Sequence, residues 1–249
     1  MKKFVVVGVQ RSGTTLVTTL LDSHPDVFCA GELFKMRPAR GKVDVRDGGY
    51  RRYISSAVHL KLVDRVARAH LVRAYLDRFF DRPGYDAIGF KLMRNHLYRG
   101  QFPSAIRYLV REQSSVIHIV RENVLKTHVS RLMAQRTGTF HGTSGRDGGR
   151  NAIEVPTNDL VRKLSRIAEQ NSELRQIFEG SMPYLACTYE RLISDQENEN
   201  DRILGFLGLR GTRLKTPLVK LTSDNLSNIV TNLDAVQRSL HGTEFEQWI

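Results

Sequence analysis

The sequence predicts an α/β fold in which a central parallel β-sheet is flanked by helices, and three observations predict it. Short apolar runs recur at residues 4–9, 26–30, 87–93, 115–120 and 183–188; the first is mainly β-branched, and 4–9, 87–93 and 115–120 have the pattern of buried strands. Segments with apolar residues at three- and four-residue spacing lie between most of them, and such alternation favours parallel pairing. The first run passes through a glycine-bracketed turn into a helical pattern, a P-loop-like strand–loop–helix opening. With 249 residues, 41% of them hydrophobic, the chain is expected to form a single domain over 1–249 with a sizeable core.

Taken in order, residues 4–9 form the first strand, and residues 14–22 follow as a helix with Leu16, Val17, Leu20 and Leu21 on its apolar face. Residues 26–30 are a second short strand. Residues 36–49 are rich in Arg, Gly and Asp, have no sustained period, and are expected to be an exposed loop. From 59 to 80 the chain reads as an amphipathic basic helix, broken once. Strands at 87–93 and 115–120 follow, each leading into a helix-compatible segment. Residues 137–151 hold five glycines, no aliphatic residue and one aromatic, Phe140, so burial cannot offset their ordering entropy and a mobile loop or lid is expected. Thr157 is expected to cap a long helix ending near Phe178; a strand at 183–188 and a short helix at 200–209 complete the regular part. The segment 220–249 shows no clear pattern.

Thirty-eight Lys and Arg against twenty-six Asp and Glu give a net charge of +12, which calls for an anionic partner: nucleotide, nucleic acid or acidic glycan. Gln10 and Arg11 cut short the first apolar run, which is therefore read as a strand and not as a signal peptide. No stretch approaches the length needed to span a bilayer, so a soluble, cytoplasmic protein is expected. Cys29 and Cys187 form no CxxC pair and are expected to be buried free thiols.

The chemistry concentrates in Gly8-Val9-Gln10-Arg11-Ser12-Gly13-Thr14-Thr15. Glycines at this spacing between a strand and a helix let backbone N–H groups surround a phosphate. A nucleoside-triphosphatase loop would carry lysine where Thr14 stands; here Arg11 supplies the cation, and Ser12, Thr14 and Thr15 supply hydroxyls. This set suits a phosphate without a magnesium-triphosphate, so no metal is required. The strand at 115–120 delivers Arg121 where a magnesium-using enzyme would more often place Asp, and Ser130 follows nine residues later on a helical stretch. Lys91 sits inside an apolar strand, where a lysine is costly unless it faces an anion or a cavity.

The segments Q-R-S-G-T-T-L-V-T-T-L-L-D-S-H-P and V-I-H-I-V-R-E-N-V-L-K-T-H-V-S-R-L resemble the two donor-binding signatures of the sulfotransferases that use 3′-phosphoadenosine 5′-phosphosulfate (PAPS). T-Y-E-R-L-I and I-L-G-F-L-G-L are similar to further segments of that family, with Arg191 in place of its usual Asp. The resemblance, to the bacterial and carbohydrate-type branch, implies that Arg11, Ser12, Gly13, Thr14 and Thr15 hold the donor's 5′-phosphosulfate, and that Arg121 and Ser130 hold the 3′-phosphate. It implies Tyr189 beside adenine, although a strand-end tyrosine is equally often half-buried packing. Glu32 matches the base, Lys91 lies near the reacting group with Arg11, and His96 is the alternative base. Met93 stands where the phenol-type branch has a histidine base, which favours Glu32 and disfavours a phenol acceptor. The acceptor would be a hydroxyl or amine on a glycan, lipid-linked sugar or small alcohol, and the product adenosine 3′,5′-bisphosphate. Two other readings stand beside this one. A small-molecule P-loop kinase would want a loop lysine and a magnesium carboxylate. A nucleic-acid-binding protein would use the arginines from Arg37 to Arg78, where aromatic residues are sparse.

Overall fold

The computed structural model describes residues 1–35, 49–56, 58–98, 103–137, 152–218 and 225–249. Five strands, β1 (Lys2–Gly8), β2 (Val27–Glu32), β3 (Ala87–Met93), β4 (Ser115–Val120) and β5 (Tyr184–Thr188), form one parallel sheet in the order β2-β3-β1-β4-β5. Helix α1 (Thr14–Asp22) follows β1; α2 (Gly49–Ser55) and α3 (Val58–Phe80) follow β2; α4 (Arg94–Tyr98) and α5 (Pro103–Arg111) follow β3. After β4 come α6 (Val124–Thr137) and α7 (Leu160–Phe178), and after β5 come α8 (Tyr189–Ser194), α9 (Gln196–Leu207) and α10 (Leu233–Leu240). This is the α/β architecture that the alternation of runs predicts.

Strands β1, β3 and β4 read as largely apolar runs because both faces of the sheet are covered there, whereas β5, at the sheet edge, buries only Cys187 and leaves Ala186 exposed. Val5 and Val7 of β1 join one core with Leu76 and Phe79 of α3, Leu109 of α5 and Leu164 of α7. Phe4 and Val6 point the other way, to Val17, Leu20 and Leu21 of α1 and Ile203, Leu204 and Leu207 of α9. Cys29 and Cys187 are buried free thiols, as expected.

Several boundaries differ from expectation, each for a local reason. Strand β2 continues past Ala30 through a bulge, so Glu32 is its last residue, paired in register with Lys91, and does not lie beyond the strand. Helix α7 begins at Leu160 and not at Thr157, because Asp159 adopts a left-handed φ of 60° and the Thr157 carbonyl only closes a turn with the Leu160 N–H. Helix α9 starts earlier than expected, at Gln196, with Glu197 and Glu199 in the first turn favouring the positive end of its dipole. The break in α3 falls at Ala67, with φ −129° and ψ 40°. The unpatterned end of the chain joins the core through Leu226, Val230, Val236, Leu240 and Phe245. Of the loops expected over 36–49 and 137–151, Gly49 opens α2 and Thr137 ends α6, and the rest lies outside the described residues, as do Arg37, Arg40 and Arg46. Among the described residues no helix is long and apolar enough to cross a membrane.

Candidate active site

The connection after β1 runs toward β2 and that after β4 runs toward β5, on opposite sides of the sheet. β1 and β4 therefore flank the topological switch point, whose carboxyl end is the place where open α/β sheets bind ligands. The loop from Gly8 to α1 occupies it. Arg11 and Gly13 take left-handed φ values of 70° and 101°. Gly13 has a second reason to lack a side chain, since a Cβ there would lie 2.6 Å from the Tyr189 ring. Ser12 is fully buried and its hydroxyl donates to the Val9 carbonyl at 2.9 Å, which folds the loop on itself.

On the β3 side of the loop, Lys91 brings three groups together. Its ammonium donates to Thr15 Oγ1 at 3.1 Å and pairs with Glu32 Oε1, also at 3.1 Å. Lys91 is 6% exposed, and the ion pair is what makes a lysine tolerable within a buried strand. His96, in the middle of the short α4, lies 3.4 Å from Glu32 Oε2 through Nε2, while its Nδ1 accepts from the Met93 backbone N–H at 3.4 Å. Burial pushes the Glu32 carboxyl up, but the hydrogen bond from His96 and the charge of Lys91 outweigh it and hold the carboxyl far below the usual range. Thr14, beside Thr15, turns its hydroxyl toward the Met93 sulfur at 3.6 Å.

On the β4 side the site is cationic. Arg11 Nε donates to Ser130 Oγ on α6 at 2.9 Å, so the loop and the second anion-binding segment meet directly. Arg121, buried to 7% exposure, lays its guanidinium 4.6 Å from the centroid of the Tyr189 ring. Burial lowers the Arg11 pKa and the neighbouring Arg121 lowers it further. Two guanidiniums crowded in this way favour an anion between them.

All eleven residues singled out in the sequence, His96 included, thus fall at the carboxyl end of the sheet, joined through the loop. Three others contribute that the sequence reading missed. Arg131 Nε donates to the Gln10 carbonyl at 3.2 Å, and burial followed by the charge of Arg94 pushes its pKa down to about 10. Asn123 caps α6, its Oδ1 accepting from the Lys126 N–H at 2.8 Å. An Asx residue just before a helical pattern was a legible signal for that cap. The Glu190 carboxylate accepts from the backbone N–H groups of Glu122 at 3.1 Å and Asn123 at 3.3 Å, a contact across 67–68 residues that no local pattern announces.

A model of the sulfotransferase family matches residues 4–213, which include the loop, both strand ends and Tyr189. The chain belongs to the sulfotransferase family. Two curated relatives are similar to this sulfotransferase-family chain over 82% of its length: the nodulation protein NoeE of Sinorhizobium fredii (strain NBRC 101917 / NGR234), 26% identical, and a putative protein-tyrosine sulfotransferase of Caenorhabditis briggsae, 27% identical. The chain spans only 49% and 65% of their lengths. Among solved structures, a sulfotransferase from Alicyclobacillus acidocaldarius has the same fold, with a TM-score of 0.50 at 12% identity, over 100% of this chain and 98% of that one. The sulfotransferase domain of the curacin biosynthetic pathway also has a TM-score of 0.50, at 14% identity over 95% and 82% of the two chains. These two likenesses concern the fold.

Proposed function

We propose that the chain transfers a sulfuryl group from PAPS to an acceptor hydroxyl or amine, with Glu32 as the base. The observation that carries the reading is Lys91, which touches both the anion loop at Thr15 and the carboxylate at Glu32. It joins a place for a phosphosulfate to a place for a proton.

In this reading the loop amides, with Ser12, Gly13, Thr14 and Thr15, hold the 5′-phosphosulfate, and Arg121 with Ser130 hold the 3′-phosphate. Tyr189 borders the adenine. The acceptor oxygen or nitrogen attacks sulfur in line and its proton passes to Glu32. The sulfur–oxygen bond to the 5′-phosphate breaks, and its electron pair stays on the departing oxygen, where Arg11 and Lys91 offset the developing charge. The products are the sulfated acceptor and adenosine 3′,5′-bisphosphate. No step calls for a metal.

Between the two candidate bases, the hydrogen bonds favour Glu32. One ring nitrogen of His96 accepts a backbone proton and the other faces Glu32, so neither has a lone pair directed at an acceptor. Glu32 is ionised and half-buried, and its low basicity comes from Lys91 and His96. A sulfonate beside Thr15 competes for Lys91, and Glu32 regains basicity as that ammonium turns away. Membership of the sulfotransferase family ranks this reading above a kinase or a nucleic-acid-binding protein.

The test is to incubate the protein with PAPS and a pool of glycans, lipid-linked sugars and small alcohols, and to screen by mass for one added sulfuryl group. Preference for ATP-Mg over adenosine 3′,5′-bisphosphate in a titration would overturn the donor assignment. Glu32→Gln is expected to keep bisphosphate affinity while turnover falls about 10²–10⁴-fold. Undiminished turnover would remove Glu32 as the base.

A further inference from the structure

Arg121 and Tyr189 come from different parts of the chain, one at the end of β4 and the other at the start of α8, yet their side chains stack at 4.6 Å. A cation–π contact of this kind tolerates sliding, so it does not fix the guanidinium in register with the ring. The residues next to each of them do. Glu190, immediately after Tyr189, spreads its two carboxylate oxygens over two consecutive backbone amides immediately after Arg121: Oε2 on the Glu122 N–H at 3.1 Å and Oε1 on the Asn123 N–H at 3.3 Å. The contact is bidentate and charge-assisted, and it lies at the entry to α6, where negative charge is favoured. Thr188 anchors the other end, its hydroxyl accepting from the Arg191 N–H at 3.3 Å and capping α8. Glu190 therefore clamps the turn that carries Arg121 to the turn that carries Tyr189. Through Asn123 the clamp reaches α6, which carries Ser130.

From this geometry we infer that Glu190 is a positioning residue for donor recognition: it holds Arg121 and the start of α6 at the spacing that reads the nucleotide's 3′-phosphate. The inference rests on the donor assignment proposed above. Glu190 itself repels that phosphate, so its contribution is indirect and must show as a loss of selectivity.

Glutamine at this position keeps one acceptor oxygen and turns an NH₂ group against the second backbone N–H. Calorimetric titration of wild type and Glu190→Gln with adenosine 3′,5′-bisphosphate and with adenosine 5′-monophosphate separates the possibilities. In wild type the bisphosphate is expected to bind more tightly. In Glu190→Gln that preference is expected to fall about tenfold, with monophosphate affinity held, which is the scale of one charge-assisted hydrogen bond. The double variant with Arg121→Ala should lose no more preference than Arg121→Ala alone. Full retention of the preference in Glu190→Gln, or equal weakening of both nucleotides, overturns the inference and leaves the donor assignment standing. A wild-type protein that binds neither nucleotide, or both alike, overturns the donor assignment itself and the inference with it. Should Glu190→Gln fail to fold, Glu190→Asp, whose shorter side chain reaches one amide, takes its place with the same expected loss.

Discussion

Removing the Lys91 ammonium tests the part of the site that depends most on burial. Two unit charges 3.1 Å apart attract by about 5 kcal/mol at an effective dielectric of about 20. Desolvation offsets much of this, because Lys91 is nearly buried and the Glu32 side chain is only 23% exposed. A net coupling of about 2–3 kcal/mol is therefore expected between the two side chains. Lys91→Met should destabilise the protein by about 3 kcal/mol at pH 7, since it leaves the carboxylate with His96 alone. In urea that is a fall in midpoint of about 1 M for a denaturant slope of about 3 kcal/mol/M. The double variant Lys91→Met/Glu32→Gln should recover most of the loss. The pH dependence adds a second check. In wild type the Glu32 carboxyl is held below its ordinary 4.5, so its contribution is present above that value and is lost as pH falls through the folded value. In Lys91→Met the folded carboxyl rises, so the penalty measured at pH 7 should shrink below about pH 4.5. A coupling below about 0.5 kcal/mol, or a penalty independent of pH, would refute the argument that this pair sets the electrostatics of the site.

Gly13→Ala forces a left-handed φ of 101° on a residue with a Cβ and drives that Cβ into the Tyr189 ring, so it should cost about 2 kcal/mol or more by urea unfolding and weaken nucleotide binding. An unchanged midpoint would contradict the packing of Tyr189 on the loop. His118, 1% exposed and hydrogen-bonded to the Tyr184 hydroxyl at 2.6 Å, is held neutral: burial first, then Arg175, lowers its pKa to about 4. Its contribution is complete above the ordinary 6.5 and is lost as pH falls toward 4, by about 3 kcal/mol in all. His118→Leu should flatten the loss of stability between pH 7 and 4.5 relative to wild type, and an equal slope in both proteins would show that another group is responsible. Arg121→Ala should raise the donor KM at least about tenfold with smaller change in turnover at saturation, the signature of a lost binding contact. A fall in turnover alone would move Arg121 from the nucleotide to the reacting group.

The sequence by itself determined the five strands, the anion loop and the cation at the end of β4, because each is written in neighbouring residues. Apolar runs covered on both faces, glycines at a fixed spacing and a charged residue closing a strand all need no partner elsewhere to be recognised. Lys91 was legible for a related reason, since a lysine within a strand buried throughout demands an anion. The tertiary structure decided which anion meets it. The bulge that brings Glu32 into register with Lys91 is a property of strand pairing, and the His96 contact depends on how α4 leaves β3. Arg11 likewise reaches Ser130 across 119 residues, which ties the loop to the second anion-binding segment. Glu190 shows the limit most clearly: its partners are backbone amides, which every sequence possesses, so only the meeting of two distant turns gives that carboxylate a role.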